Sequence, residues 1–243
     1  PGDNNGGGDN TNPYEFPNAV DYGLANQIEI VTWNIRQFPQ HSSTKDHVKN
    51  LLEKWNADIY FFQEIRSESE LISMVNSMPN YSYVVDEESG NLGFALVYKN
   101  QYITFNSKNE LWADTANNDD GDSDYYNNAA YQFADRPPME NYLTWSDGTK
   151  TLNLYLIGIH YKCCGDGIFN SSDSGDEETR RYQANLLLKA YIDENFSDEN
   201  VILLGDLNDD IAESSQNNIF QMFIDDSENY LFADYEIATG TSA

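Results

Sequence analysis

The chain has 243 residues and is 40% hydrophobic and 14% aromatic, enough for one large domain with a substantial core and too apolar for a disordered segment. Its formal charge of -28 excludes a binder that holds nucleic acid through a generally basic surface, so a polyanionic ligand would need divalent cations or a local basic patch, for which Arg136, Lys162, Arg180 and Arg181 are the candidates. No uninterrupted apolar run reaches transmembrane length.

Residues 1–24 open with PGDNNGGGDNTNP and read as a flexible Gly/Asn/Asp-rich tether ahead of a domain over 25–243. Gln27–Ile35 reads as the first strand. Val48, Leu51, Leu52 and Trp55 then mark one apolar helix stripe, with Ser43 or Thr44 as its cap. Asp58–Phe62 is a second strand ending in Gln63-Glu64. Ser67 with Glu70 three residues on predicts a capping box for a second helix.

The middle of the chain changes period. Tyr81–Val85, Gly93–Tyr98 and Tyr102–Phe105 read as short strands of an antiparallel meander. The acidic stretch Asn117–Asp124 offers oxygen ligands for a structural calcium ion, although its spacing is not that of an EF-hand loop. After Arg136-Pro137-Pro138, the Asp147-Gly148 turn joins Asn141–Trp145 to Thr151–Tyr161 in a hairpin. A Gly/Asp/Ser loop over 165–176 leads into a helix from Glu177 to Asn195. Val201–Asp210 follows as a buried strand with a polar end, and a helix near Gln216–Ile224 comes after it. The adjacent Cys163 and Cys164 leave three options open: a vicinal disulfide, two thiols or a metal contact.

Four apolar strands therefore end in groups able to do chemistry: Asn34, Gln63-Glu64, His160, and Asp206 with Asn208. Convergence of such ends at one edge of a sheet is how sites are commonly built.

Trp33-Asn34-Ile35, Gln63-Glu64, His160 and Gly205-Asp206-Leu207-Asn208 resemble, in order and approximate spacing, successive motifs of the endonuclease/exonuclease/phosphatase superfamily with its deoxyribonuclease-I-like fold. Arg136-Pro137-Pro138 and His160–Gly167 look most like its secreted bacterial members. The resemblance implies an α/β (α+β) four-layer sandwich, two mostly antiparallel sheets flanked by helices, in a secreted or surface-anchored monomer. It implies hydrolysis of phosphodiesters with Mg2+ or Mn2+. Glu64 would hold the metal with Asn34 beside it, and Asp206 would orient or deprotonate the attacking water. His160 would donate to a phosphate oxygen, and Asn208 and Arg136 would contact the phosphate. The expected substrate is nucleic acid. A phosphatase, a sphingomyelinase or phosphoinositide-type phosphodiesterase, and a non-catalytic surface module with the same fold are the alternatives.

The chain departs from the pattern in one respect. The family closes on an Asp-His motif in a last strand, whereas the three histidines here are His41, His47 and His160. The terminal strands and that histidine are therefore expected to be missing, and the chain as given is expected to be weakly active.

Overall fold

The computed structural model describes residues 19–24, 26–87, 92–113 and 129–241. The acidic stretch 117–124, with the calcium site expected there, and most of the expected tether lie outside the described residues.

The first half builds one sheet. β1 (Ile30–Phe38), β2 (Ile59–Ile65), β3 (Tyr81–Val85) and β4 (Gly93–Lys99) lie in the order β1-β2-β4-β3, with β1 and β2 parallel and the other pairs antiparallel. The parallel pair is joined by α1 (Thr44–Trp55), as a crossover requires, and α2 (Glu68–Asn76) joins β2 to β3. The second half builds the other sheet from β5 (Ile103–Glu110), β6 (Met139–Ser146), β7 (Thr151–His160) and β8 (Val201–Asp206), in chain order. Here β7 and β8 are parallel, and α4 (Glu177–Asn195) makes the crossover. Three short helices complete the described residues, α3 (Ala129–Gln132) before β6 and α5 (Gln221–Ile224) and α6 (Tyr235–Ala238) after β8, and a tight turn at Asp147 closes the β6–β7 hairpin.

Strand periodicity sets the layers. On β2, Tyr60 and Phe62 turn toward Val48 and Leu52 of α1 and Leu71 and Met74 of α2, while Ile59 and Phe61 turn toward the second sheet. On β7, Leu154 and Leu156 face the first sheet, while Ile157 and Ile159 pack on Ala184 and Leu188 of α4. The result is helix, sheet, sheet, helix, as expected. Gly158 lies directly against the first sheet: a Cβ there would stand 1.7 Å from Cζ of the fully buried Phe61.

Three local expectations fail. The Ser67 capping box does not form, because Glu70 is drawn away to Lys45 of α1 at 2.8 Å and the Ser67 hydroxyl pairs with Ser69. Ser43 occupies the N-cap of α1 without a capping bond, its hydroxyl lying 2.9 Å from the His41 ring. The helix expected near 216–224 is reduced to Gln221–Ile224. The Asn218 side chain there donates to the Ile211 carbonyl and accepts from the Phe220 amide, in place of helical bonds.

Candidate active site

The two parallel strand pairs deliver four strand ends to one place, and the backbone is irregular at the ends of β1, β2 and β8. Asn34 is in register with Gln63, after which β1 slips before Phe38 pairs with Ile65; β2 slips against β4 between Gln63 and Ile65. Within these bulges Arg36, Gln37 and Glu64 have φ of 39°, 52° and 63°. Each such left-handed L-residue costs about 1 kcal/mol or more, and bulges are a standard means of re-aiming a side chain. Here Gln63 stays buried, donating to the Thr32 hydroxyl at 3.0 Å, and Glu64 emerges at the strand end.

In the second sheet His160 is in register with Asp206 across the parallel β7–β8 pair. Gly205, at φ 149°, lies against β7 so closely that a Cβ would stand 1.9 Å from the Ile159 carbonyl oxygen. Only glycine permits that approach, and it sets Asp206 beside the end of β7. Asn208, at φ 51°, then turns the chain back.

A single amide nitrogen ties the two sheets together. Asn34 Nδ2 donates to Glu64 Oε1 at 2.9 Å and to Asp206 Oδ2 at 2.8 Å. The amide orientation is fixed by its other end, since Asn34 Oδ1 accepts from the Arg36 backbone N–H at 2.9 Å. Glu64 Oε2 accepts from the Gln37 amide at 3.0 Å, and Asp206 Oδ1 from the Asn208 amide at 3.2 Å. His160 Nε2 faces Asp206 Oδ2 at 3.7 Å. Arg136 donates through Nε to the His160 carbonyl at 3.0 Å and through Nη2 to the Tyr161 carbonyl at 2.7 Å, and Asn208 Nδ2 reaches the same Tyr161 oxygen at 3.1 Å. All six residues singled out from the sequence are thus brought together, Asn34 and Glu64 from the first sheet and Arg136, His160, Asp206 and Asn208 from the second.

The electrostatics follow from this packing. Burial, helped by the neighbouring Arg136 guanidinium, pushes the His160 imidazole down to about 4 against the pull of Asp206 and Glu64, so it is neutral at pH 7. Its Nδ1 is buried without a hydrogen-bond partner. Burial also holds Arg136 below its ordinary range, with Cys163, Glu64 and Asp206 opposing. Among the described residues no lysine or arginine lies in ion-pair range of Glu64 or Asp206. Two half-buried carboxylates held on one amide, with Arg136 nearby but outside ion-pair range, fit a hard divalent ion such as Mg2+ or Mn2+.

The structure selects among the options left open for the cysteines and places the basic residues differently from their sequence reading. Cys163 and Cys164 are exposed thiols, not joined to each other. Lys162, Arg180 and Arg181, which with Arg136 would make a basic patch, are committed internally. Arg181 is 2% exposed, 3.1 Å from Glu178 and 2.7 Å from Asp209. Arg180 stacks over the Tyr131 ring, 3.8 Å from its centroid, and donates to the Tyr131 carbonyl. Lys162 donates to the Cys163 carbonyl and lies 3.8 Å from Glu177. The residues that sequence reasoning missed are the Gln37 amide and the Tyr161 carbonyl. They act through the backbone, so no side-chain pattern announces them.

Comparison with known proteins agrees with this fold. No curated protein sequence matches the chain. The fold is similar to that of the human Nocturnin catalytic domain with bound sulfate anion, at TM-score 0.60 and 12% identity, covering 89% of this chain and 75% of that one. It is similar to a humanized D. rerio TDP2, at TM-score 0.56 and 14% identity, covering 85% and 72%. A Bacteroides thetaiotaomicron mannosyl-6-phosphatase gives TM-score 0.53 and 15% identity, covering 82% and 72%. At these identities the likeness establishes the fold. The family model described as Endonuclease/Exonuclease/phosphatase family matches residues 31–218, a span holding Asn34, Glu64, Arg136, His160, Asp206 and Asn208, and the chain belongs to that family.

Proposed function

We propose that this chain is a divalent-metal-dependent phosphodiester hydrolase acting on nucleic acid outside the producing cell, as a monomer. The observation that carries the chemistry is the Asn34 amide holding Glu64 and Asp206 together. Glu64, with Asn34 beside it, would hold Mg2+ or Mn2+, and the ion supplies charge neutralisation at the phosphate and the leaving oxygen.

The chain's own groups do the rest. Asp206 accepts the proton of the attacking water; its Oδ1 is steadied by the Asn208 amide. Neutral His160 donates a hydrogen bond to a phosphate oxygen, where negative charge grows in the transition state. Asn208 contacts the phosphate, and so does Arg136 through Nη1, which neither of its carbonyl bonds uses.

Nucleic acid as substrate is supported by a D. rerio TDP2 complexed with single strand DNA product, at TM-score 0.54 and 15% identity, covering 74% of this chain and 60% of that one. A second reading, a small phosphomonoester as substrate, is favoured by the net charge of -28 and by arginines turned inward instead of toward a long polyanion. Incubation of the protein with plasmid DNA, single-stranded DNA and sugar phosphates, each with Mg2+ or Mn2+, separates the two. DNA cleavage lost in Glu64→Gln and Asp206→Asn supports the nuclease. Turnover of a phosphomonoester or a phospholipid headgroup, with DNA untouched under every divalent ion, overturns it.

A further inference from the structure

The loop that follows β7 folds back over the start of α4 and gathers carboxylates there. Asp166, Asp176 and Glu178 each bring an oxygen within 4.8 Å of the others. Each is positioned by backbone amides through one oxygen. Asp166 Oδ1 accepts from the Ile168 amide at 3.0 Å. Asp176 Oδ2, at the N-cap of α4, accepts from Thr179 at 2.8 Å and Asn170 at 3.3 Å. Glu178 Oε1 accepts from Gly167 at 2.8 Å and faces Arg181 Nη2 at 3.1 Å.

The other oxygen of Glu178 is the telling one. Glu178 is 1% exposed, and its Oε2 has no hydrogen-bond partner. A buried carboxylate oxygen left dry carries its full desolvation penalty, which a coordinated cation removes. The chain is built to wrap this group closely: at Gly165, with φ 98°, a Cβ would stand 2.2 Å from Glu178 Oε1. Arg181 does not neutralise the cluster, because it is shared with Asp209 at 2.7 Å. Nearby, the Glu213 carboxyl is pushed up by burial and by Asp209, Asp210 and Glu178, a further sign of unbalanced negative charge. The α4 N-terminus by itself favours anions, but the Asp176 carboxylate already occupies its first free amides.

We infer that Asp166, Asp176 and Glu178 form a second cation site, separate from the Glu64–Asp206 cluster, that takes calcium and locks the loop after β7 onto α4. Carboxylates are hard donors. The irregular loop and the exposed side of Asp166 leave room for the carbonyls and waters that complete the six to eight oxygens calcium accepts, whereas magnesium demands a near-ideal octahedron. The lock is structural. Arg181 Nη1 bonds the Lys162 and Cys164 carbonyls, each at 2.9 Å, so the closed loop braces the chain just beyond His160.

Thermal unfolding of the whole chain in chelator and then in calcium tests this. At a hundredfold excess over the dissociation constant, calcium should raise the midpoint by about 5–10 °C. Asp166→Asn, which keeps an acceptor for the Ile168 amide, should melt like the parent in chelator and lose the calcium shift. Asp176→Asn, which keeps a good N-cap, should lose it too. Glu64→Gln should keep it. Calcium bound elsewhere, as on the stretch 117–124, would survive the Asp166 substitution. No calcium shift in the parent, or the same shift in parent and Asp166→Asn, overturns the site; loss of the shift in Glu64→Gln overturns its separateness.

Discussion

Arg136 and Asn208 share one acceptor: Arg136 Nη2 and Asn208 Nδ2 both donate to the Tyr161 carbonyl, at 2.7 and 3.1 Å. Arg136 also holds the His160 carbonyl, so its planar fork grips two successive peptide oxygens at the end of β7. A lysine carries its donors on one nitrogen and lacks the fork that reaches the two oxygens from separate nitrogens. Arg136→Lys is expected to cost about 1–3 kcal/mol of stability, the scale of a buried group left unpaired. Urea unfolding measures this. On the proposed reading turnover falls as well, while Mg2+ affinity, measured by calorimetry, holds.

Asn34→Ala removes the donor between two carboxylates and leaves them facing each other. In metal-free buffer the variant should lose about 1–3 kcal/mol, since two acceptors lose their partner. Divalent ion should recover much of that loss if the carboxylates bind it. Equal stability of parent and variant in chelator would remove the bridge from the account of this site.

Gly158→Ala places a methyl where Phe61 already stands, 1.7 Å away. Overpacking of this kind costs about 1–3 kcal/mol. The effect should be specific: Phe61→Leu in the same chain should restore part of the loss, and a double-mutant cycle should give a coupling of about 1 kcal/mol. Additive single effects would mean the sheets relax apart without strain.

Asp147 gives a pH dependence. Its Oδ1 accepts from the Lys150 amide, the Thr149 hydroxyl and the Thr149 amide, each at 2.7 Å, and these bonds hold its carboxyl at about 2. The unfolded chain titrates near an ordinary value of about 3.9. The folded value is the lower one, so this stabilisation is fully present above about pH 4 and is lost as pH falls through about 2. Asp147→Asn mimics the protonated side chain. Its stability deficit against the parent, read from denaturant unfolding, should be constant at pH 5–7 and shrink as pH drops below 4.

Much of the architecture was legible because strands and helices here keep their periods. The buried runs Ile59–Phe62 on β2 and Leu156–His160 on β7 follow directly from two-sided packing, and α1 from its apolar stripe. The site was legible as a set of polar strand ends. What the residues did not announce is how those ends are aimed. That depends on the bulges at Asn34–Phe38 and Gln63–Ile65 and on left-handed backbone at Glu64 and Asn208, where tertiary contacts override the preference of an ordinary L-residue. Arg180 and Arg181 misled for the opposite reason. Arginine is usually solvated, and only the fold reveals that Tyr131, Glu178 and Asp209 wait for them in the interior. Ser67 and Glu70 had the spacing of a capping box, but a spacing cannot report a competing lysine on another helix.

The Asn34 bridge has a kinetic corollary. One carboxylate comes from each sheet, so on the proposed reading the metal-holding Glu64 and the water-activating Asp206 meet only when the sheets dock. A refolding chain that has formed its strands but not yet docked the sheets across Phe61 and Leu156 is therefore inert. On that reading, recovery of turnover after dilution from denaturant should lag the return of β-structure and coincide with burial of that interface, so the site itself serves as a clock for the last step of assembly.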